Sequence, residues 1–253
     1  MSRAYTRITN GAVSVGNDWI ERCRSEFLCK TVELRQKLPG GYVEWVEAPA
    51  ADLRLELDGT PLRLELAGPP EWSESYDSLG ATVTARWPGA GWAVAVHTTA
   101  LHENPALVKT VEVANLGQAA FRLTGVAVEM LALRRDGAGV LTDGLSRRSE
   151  SALWETEERA AAVELRGHGR LGLLLGLEHG GRFELFDPDP AHCALALPAP
   201  VAVAPGKRTR LPRSFVIPYS GDPGMTASGK LAELLRLLRD QERREREQAA
   251  DTA

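Results

Sequence analysis

Short stretches in which apolar and polar residues alternate follow one another along most of the chain. Residues 107–113 are typical, because Val111 and Val113 fall on one parity of the stretch and Thr110 and Glu112 fall on the other. A period of two residues indicates a β-strand that buries one face and leaves the other wetter. Further strands are predicted at residues 82–87, 92–97, 121–133, 163–166, 171–177, 183–186 and 215–219.

Turn residues separate these stretches, and one hairpin is especially clear. Residues 52–57 and 61–66 alternate leucine with charged or polar residues, and Asp58-Gly59 lies between them. Asp-Gly readily takes the positive φ angles of a tight hairpin turn, so the two stretches are predicted to pair with their leucines facing a core. The strands are too many for one flat sheet. We therefore predict an all-β fold, a two-sheet antiparallel β-sandwich.

The hydrophobic period changes near the end of the chain. Leucines recur there at i, i+3, i+4 and i+7, which predicts an amphipathic α-helix beginning near Ser228. These leucines are Leu231, Leu234, Leu235 and Leu238. The residues that follow are mostly Glu and Arg, which indicates a solvated end. The predicted organisation is a β-sandwich domain over residues 1–222 and a linker with a short charged C-terminal α-helix over residues 223–253.

Composition restricts the class of protein. The chain has 253 residues, 43% of them hydrophobic, which is enough to bury a substantial core. A formal charge of −4 and a pI near 5.8 provide no basic field for nucleic acid or an anionic membrane. The first residues lack the apolar core of a signal peptide, and no run approaches the roughly 20 apolar residues that cross a bilayer. We expect a cytoplasmic protein with neither a nucleic-acid nor a membrane partner.

The sequence has no strong signature of a cofactor or metal site. Its three cysteines, Cys23, Cys29 and Cys193, have neither CxxC spacing nor a neighbouring histidine cluster. They are interpreted as buried free thiols. The sequence also lacks a phosphate-binding loop, a dinucleotide-binding motif and a metalloprotease motif. Neither a cofactor nor a metal is expected.

Catalytic candidates are consequently few. Glu178 and His179 follow the predicted strand 171–177 and precede two glycines. A histidine titrates near neutral pH, so His179 is a candidate general acid or base beside Glu178, and the alternative is an exposed turn with a paired Glu and His. His97 is predicted to face the wetter side of its sheet, because it shares the parity of Ala95. It is a third catalytic candidate, or a structural histidine.

Other residues suit a carbohydrate ligand. Trp72 and Trp154 lie in polar surroundings, and aromatic rings can stack on the apolar faces of sugars, although tryptophans also fill sandwich cores. Arg147 and Arg148 are adjacent in a polar stretch, where they either bind a carboxylate or phosphate or are solvated. His102 precedes the 107–113 strand and is a candidate to hydrogen-bond a sugar hydroxyl, with a structural role as the alternative.

Three segments resemble a known family. They are residues 8–22 (ITNGAVSVGNDWIER), 104–117 (NPALVKTVEVANLG) and 176–179 (GLEH). They are similar to strands of the β-supersandwich at the N-terminus of α-galactosidase-like glycoside hydrolases, and the resemblance runs from about residue 8 to residue 222. It implies a galactose-mutarotase-like fold. In those enzymes a (β/α)₈ barrel follows the sandwich and supplies both catalytic carboxylates, whereas here only a helix follows, so no catalytic residue is carried over.

Three functional hypotheses follow from the pattern and the resemblance. The first is a carbohydrate-associated β-sandwich, a sugar-binding or accessory subunit without catalytic residues of its own. The second is a stand-alone carbohydrate-active enzyme of the mutarotase, isomerase or lyase kind, with Glu178 and a histidine as acid and base. The third is a structural partner that forms a homo-oligomer or binds a separately encoded catalytic chain through its leucine-striped helix.

Overall fold

A computed structural model of the chain describes residues 3–28, 30–133, 161–166, 171–178, 182–186, 191–197, 200–221 and 223–251. Antiparallel strands dominate the fold, and a long α-helix follows them. The strands are β1 (Tyr5–Thr9), β2 (Ala12–Gly16), β3 (Ile20–Ser25), β4 (Lys30–Leu38), β5 (Gly41–Glu44), β6 (Ala50–Ala51), β7 (Arg54–Leu57), β8 (Thr60–Pro61), β9 (Glu71–Tyr76), β10 (Gly80–Pro88), β11 (Trp92–Leu101), β12 (Leu107–Asn115), β13 (Phe121–Leu133), β14 (Ala161–Arg166), β15 (Leu171–Leu177), β16 (Arg182–Phe186), β17 (Ala191–Ala196), β18 (Val201–Val203), β19 (Arg208–Arg210) and β20 (Ser214–Ser220). The helical elements are a 3-10 helix at Leu64–Ala67 and α1 (Pro223–Asp251).

Hydrogen bonds group the strands into three sheets. Sheet A has the order β1-β2-β3-β4-β5, with β6 also paired to β4. Sheet B has the order β16-β17-β13-β7-β8, with β18 also paired to β13. Sheet C has the order β14-β15-β20-β12-β11-β10-β9, with β19 also paired to β12. Strand β12, which contains the alternating residues 107–113, is therefore central in the largest of these sheets.

Sheets A and B both pack against sheet C. A bridge between Val46 and Leu133 and a 2.9 Å hydrogen bond from the Glu47 amide to the Ala132 carbonyl join sheet A to sheet B. Buried side chains from all three sheets form one core cluster. The predicted all-β antiparallel sandwich with a C-terminal helix is confirmed. The layer opposite sheet C consists of two sheets, A and B. In the described residues, backbone pairing between sheets A and B is confined to this short junction.

The predicted hairpin is half correct. Asp58 and Gly59 have φ angles of 50° and 82°, as a tight hairpin turn requires, and β7 pairs with β8. The second arm was predicted to continue to residue 66, which is wrong, because β8 ends at Pro61, the Leu62 amide makes one further hydrogen bond to the Leu55 carbonyl at 2.8 Å, and the chain then forms the 3-10 helix. Strand β8 is at the sheet edge, where a proline is tolerated because its nitrogen faces away from β7.

Helix α1 covers part of the outer face of sheet C. The four leucines of the predicted stripe are at most 5% exposed, and they pack on side chains of β12, β15 and β20 that include Val108, Phe215 and Ile217. The predicted amphipathic helix is confirmed, although it begins at Pro223 rather than near Ser228. Its leucine stripe packs on sheet C of its own chain, whereas the third hypothesis has the stripe bind a second chain. The outer face of sheet C is thereby divided into an apolar part under α1 and a polar part beside it. None of the described helical segments has the length and apolar character to span a membrane.

Candidate functional site

The polar part of the outer face of sheet C is the candidate site. Val83 of β10 and Val96 of β11 point into the core with their same-parity neighbours, so the opposite parity faces outward. Strand register places polar and small residues of this outward parity side by side across β9 to β12 and β19. This surface, the His97 face, consists of Glu71, Ser73, Ser75, Thr82, Thr84, Arg86, Ala93, Ala95, His97, Thr99, Thr110, Glu112, Ala114, Arg208 and Arg210.

His97 lies at the centre of this face and contacts side chains on both neighbouring strands. The hydroxyl oxygen of Thr84 on β10 lies 2.9 Å from its Nδ1. Oε2 of Glu112 on β12 lies 3.9 Å from its Nε2, which has no hydrogen-bond partner among the described residues. A carboxylate only accepts hydrogen bonds, so the tautomer with a proton on Nε2 suits both neighbours, with Nδ1 accepting from Thr84. The Nε2–H group is therefore directed towards Glu112 across a gap.

Burial and nearby charges set the protonation of His97. Burial lowers the pKa of His97 below its ordinary value, Glu112 opposes that change, and Arg210 and Arg86 reinforce it. The neutral imidazole therefore predominates at neutral pH. Glu112 is in turn 3.5 Å from Nε of Arg210, and the side chains of His97 and Glu112 are each 28% exposed. The two side chains are thus partly exposed, with one neutral donor and one carboxylate acceptor, although Nε2 of His97 is itself buried.

The spacing of this pair suits a bridging hydroxyl group. At 3.9 Å, His97 and Glu112 are too far apart for a direct hydrogen bond. Because Nε2 is buried, one of the two side chains must rotate to open this gap. A hydroxyl oxygen about 2.8 Å from both atoms would then accept from Nε2 and donate to the carboxylate. Threonine hydroxyls lie beside the pair, and those of Thr82 and Thr99 are 2.8 Å apart. Donors and acceptors at this density match a ligand with several hydroxyl groups.

Helix α1 borders the His97 face on one side. A pocket of about 40 Å³ separates Thr99, Thr110 and Arg210 from Leu238 and Gln241 of the helix. That volume is close to the space of one water molecule. The helix therefore forms a wall at this side, and the face stays open towards β9 and β10.

Glu178, a predicted catalytic residue, follows β15 and is buried. Both of its carboxylate oxygens accept hydrogen bonds from Arg213, one of them from Nε at 2.8 Å. Nη2 of Arg213 also lies 3.5 Å from the carbonyl oxygen of Leu238 in α1. The described contacts of Glu178 thus connect sheet C to the helix, whereas the carboxylate next to His97 is Glu112. The predicted partner His179 lies outside the described residues, so the acid–base role of this pair stays a prediction.

His102, a predicted sugar-binding residue, has both ring nitrogens in hydrogen bonds within the protein. Nδ1 accepts from the Ala4 amide at 3.2 Å, and Nε2 donates to the Asp77 carbonyl at 3.1 Å. The ring joins the N-terminal segment to the turn before β10. It also lines a cavity of about 380 Å³ with Leu79 and Arg236. A sugar bound there would meet the ring carbons of His102, because its nitrogens are already used.

The remaining predicted ligand-binding residues are not brought together. Trp72 lies on β9, where its half-buried ring packs on the core and its indole N–H donates to the Glu26 carbonyl at 2.8 Å. Arg147, Arg148 and Trp154 lie outside the described residues. Sugar binding by these four residues stays a prediction. A tryptophan that is more open to solvent is Trp19, which is 37% exposed.

The inward side of the same strands holds a buried charge cluster, which consists of Arg22, Arg24, Asp52, Lys109 and Glu129. Lys109 donates to Glu129 at 3.0 Å and to the Asp52 carbonyl at 2.7 Å. Arg22 makes two hydrogen bonds to Glu129, at 3.0 and 3.2 Å, and Arg24 pairs with the Asp52 carboxylate. Because Arg22, Glu129 and Lys109 belong to sheets A, B and C, the cluster connects all three sheets.

Charges within the cluster compensate the cost of burial. Burial alone would raise the pKa of Asp52, but Arg24, Lys109 and Arg22 hold it below its ordinary value. Burial lowers the pKa of Lys109, and the carboxylates of Glu129 and Asp52 oppose that change. Every member is at most 2% exposed, so ligands have no access to these charges. The cluster is part of the core architecture.

Cys23 lies on the outer side of sheet A. It is a free, buried thiol, as predicted, with Sγ 3.1 Å from the Ser14 hydroxyl and 3.3 Å from Oε1 of Glu21. Burial raises the pKa of Cys23 to about 12, so the thiol stays protonated and unreactive. The described residues contain no group of three or more His, Cys, Asp and Glu side chains that could hold a metal ion.

Sequence reasoning selected His97 but missed the residues around it. The alternation of residues 107–113 placed Glu112 on the face opposite Val111 but did not connect it with His97, and Thr84, Arg86 and Arg210 carried no motif. Outward parity on consecutive strands was the available signal for Glu112. His97 and Glu112 lie diagonally across from each other because the β11–β12 register pairs His97 with Thr110. A shift of one residue would turn either side chain inward.

Comparison with solved structures shows the fold at low sequence identity. The galactosidase domain of the α-galactosidase–sucrose kinase AgaSK matches 85% of this chain and 42% of its own, with 9% identity and a TM-score of 0.54. The Slr1438 protein from Synechocystis sp. PCC 6803 matches 86% of this chain and 96% of its own, with 9% identity and a TM-score of 0.52. A polysaccharide lyase matches 88% of this chain, with 15% identity and a TM-score of 0.53.

Two of these matches cover less than half of the matched protein. The chain spans 33% of the lyase and 42% of the AgaSK domain. No family model matches the chain, and no curated protein matches it. At such identities the likeness shows the β-sandwich fold alone, a fold found in proteins named for a galactosidase and a polysaccharide lyase.

Proposed function

We propose that this protein is a carbohydrate-binding β-sandwich, a binding or accessory subunit whose ligand lies on the His97 face. The observation that carries the proposal is the His97–Glu112 pair, held 3.9 Å apart beside threonine hydroxyls. Neighbouring hydroxyl groups of a sugar ring can accept from Nε2 of His97 and donate to Glu112 and the threonines. The fold is compatible with this role, since two proteins that share it are named as acting on carbohydrates. Because a fold does not specify function, the proposal rests on the site.

Calorimetric titration of the folded full-length protein with mono- and oligosaccharides tests this proposal. We expect saturable binding that weakens at least tenfold in His97→Ala and in Glu112→Gln, because each removes one side of the hydroxyl bridge. Glu65→Gln is the matched control, since Glu65 is exposed on the 3-10 helix away from this face. Absence of binding across neutral and acidic sugars, or equal affinity in both site variants and the wild type, would contradict the proposal.

Acid–base chemistry at the same pair is the second candidate function. In the other tautomer, Nδ1–H donates to the Thr84 hydroxyl and Nε2 can take the proton of an anomeric hydroxyl, and ring opening is complete when water protonates the ring oxygen. The lowered pKa of His97 favours this role, because it keeps the ring available as a base at neutral pH. Polarimetry on freshly dissolved α-glucose and α-galactose would detect faster anomer equilibration. An equal rate with wild type, with His97→Ala and without protein would exclude mutarotation of these sugars.

A further inference from the structure

Small residues form a low area within the His97 face. Ala93 and Ala95 on β11 and Ala114 on β12 share the outward parity, and Ala93 is the register partner of Ala114. An alanine side chain ends at Cβ, so this area, the alanine floor, lies below the long side chains around it. Ala93 and Ala95 are partly exposed, whereas Ala114 is only 7% exposed, so the room for a small group lies over β11.

Arginines surround the alanine floor. Arg86 is the register partner of Ala95, Arg208 is the register partner of Ala114, and Arg210 is that of Glu112. Long side chains at these positions can reach over the adjacent alanines. The floor therefore has guanidinium groups on both sides, on β10 and on β19.

The charges at this floor are only partly neutralised from within the protein. Glu112 lies beside the floor, and Arg210 pairs with it at 3.5 Å. Glu71 is the register partner of Arg86, but no carboxylate of the described residues lies within ion-pair distance of Arg86. Arg208 on β19 also has no carboxylate within ion-pair distance among the described residues, but it is paired with β12, the strand that carries Glu112. An anionic group would therefore be attracted to the β10 side, where Arg86 is not engaged by a carboxylate. Arginine binds both carboxylates and phosphates through paired N–H groups.

We infer that the sugar bound on the His97 face carries an anionic substituent, a carboxylate or a phosphate ester, that lies over the alanine floor against Arg86. This inference rests on the proposed function and specifies its ligand class. The sugar hydroxyls occupy the His97–Glu112 gap, and the anionic group extends from there towards β10. Glu112 disfavours an anion on its own side, so the ligand has one preferred orientation.

The test is a titration of the full-length protein with galactose, galacturonate and galactose 6-phosphate, each measured also with Arg86→Gln and Arg86→Lys. We expect at least one anionic sugar to bind wild type tenfold or more tightly than galactose. Arg86→Gln should abolish that advantage, so that the ratio of the affinities for the anionic sugar and for galactose falls to about one, and Arg86→Lys should keep part of it. Arg63→Gln, an exposed arginine next to the 3-10 helix, should behave as wild type.

Comparison of the two anionic sugars identifies the substituent. An advantage for galacturonate alone indicates a carboxylate ligand, and one for galactose 6-phosphate alone indicates a phosphate ligand. Equal affinity for all three sugars, or an advantage that survives in Arg86→Gln, would overturn the inference and leave the proposed function intact. Failure of all three to bind, together with other sugars, would overturn both.

Discussion

Lys109 and Glu112 lie on the same strand, β12, and have opposite environments. Lys109 points inward, is 2% exposed, and donates hydrogen bonds to Glu129 and to the Asp52 carbonyl. Glu112 points outward, is 28% exposed, and lies 3.9 Å from His97. One strand thus contributes a cation to the buried charge cluster and a carboxylate to the His97 face.

The two sites differ in how closely their charged and polar groups approach one another. In the buried charge cluster, charged side chains contact one another closely, since an unpaired charge in the core is costly. On the His97 face, the buried Nε2 of His97 and the Glu112 carboxylate are 3.9 Å apart, a gap that a ligand hydroxyl can fill once a side chain rotates. A buried cluster of strong ion pairs is therefore an architectural feature, and an incomplete polar pair at an open surface is the better candidate for binding.

The largest effect is expected from removal of one charge in the buried charge cluster. In Glu129→Gln, Arg22 and Lys109 lose their shared carboxylate, which leaves three cations of the cluster with Asp52 as the only carboxylate among its members. Breaking a buried ion pair on one side costs about 3–5 kcal/mol, so the free energy of unfolding should fall by that amount. Urea denaturation followed by tryptophan fluorescence measures it.

Glu112→Gln is the matched control for that substitution. It makes the same chemical change on the outward face of the same sandwich, where a partly exposed ion pair contributes about 0–1 kcal/mol. It should leave the urea midpoint nearly unchanged and reduce ligand affinity. Glu129→Gln should lower the urea midpoint and leave the ligand affinity of the folded fraction nearly unchanged. Equal losses of stability would show that the two sites do not differ in the way described.

Parts of this contrast follow from sequence, and parts do not. Alternation in β12 correctly places Lys109 with Val111 on one face and Glu112 on the other. The partner of Lys109 could not be predicted, because Glu129 is on another sheet and a strand's period contains no information about distant pairing. The failed second arm of the β7–β8 hairpin has a related cause, since local alternation does not report where the chain leaves its partner strand β7. The hydrophobic period of a strand predicts which of its faces is buried, and the tertiary register decides which residues of neighbouring strands lie together.

A smaller effect is expected from the residue that orients His97. Thr84→Val keeps the shape of the side chain but removes the hydroxyl that lies 2.9 Å from Nδ1. The ring loses one fixed hydrogen bond, worth about 0.5–1.5 kcal/mol, so ligand affinity should fall roughly 2- to 13-fold. Thr84→Ser retains the hydroxyl and should bind nearly as wild type. If valine and serine give the same affinity, Thr84 does not orient the imidazole.

The smallest effect is a dependence of stability on pH that belongs to His97. Burial lowers the pKa of His97 below its unfolded value of 6.5, so in the interval between the two values the unfolded chain binds more protons than the folded one. Stability should therefore rise with pH through that interval and show no further contribution from His97 above about pH 6.5. Other histidines also titrate there, so the quantity to measure is the difference in unfolding free energy between wild type and His97→Gln at several pH values from 4.5 to 7.5. That difference should shift in favour of wild type as pH rises. A difference that is constant with pH, or that shifts in favour of His97→Gln, would mean that Glu112 outweighs burial, and His97 would then carry a proton in the folded protein.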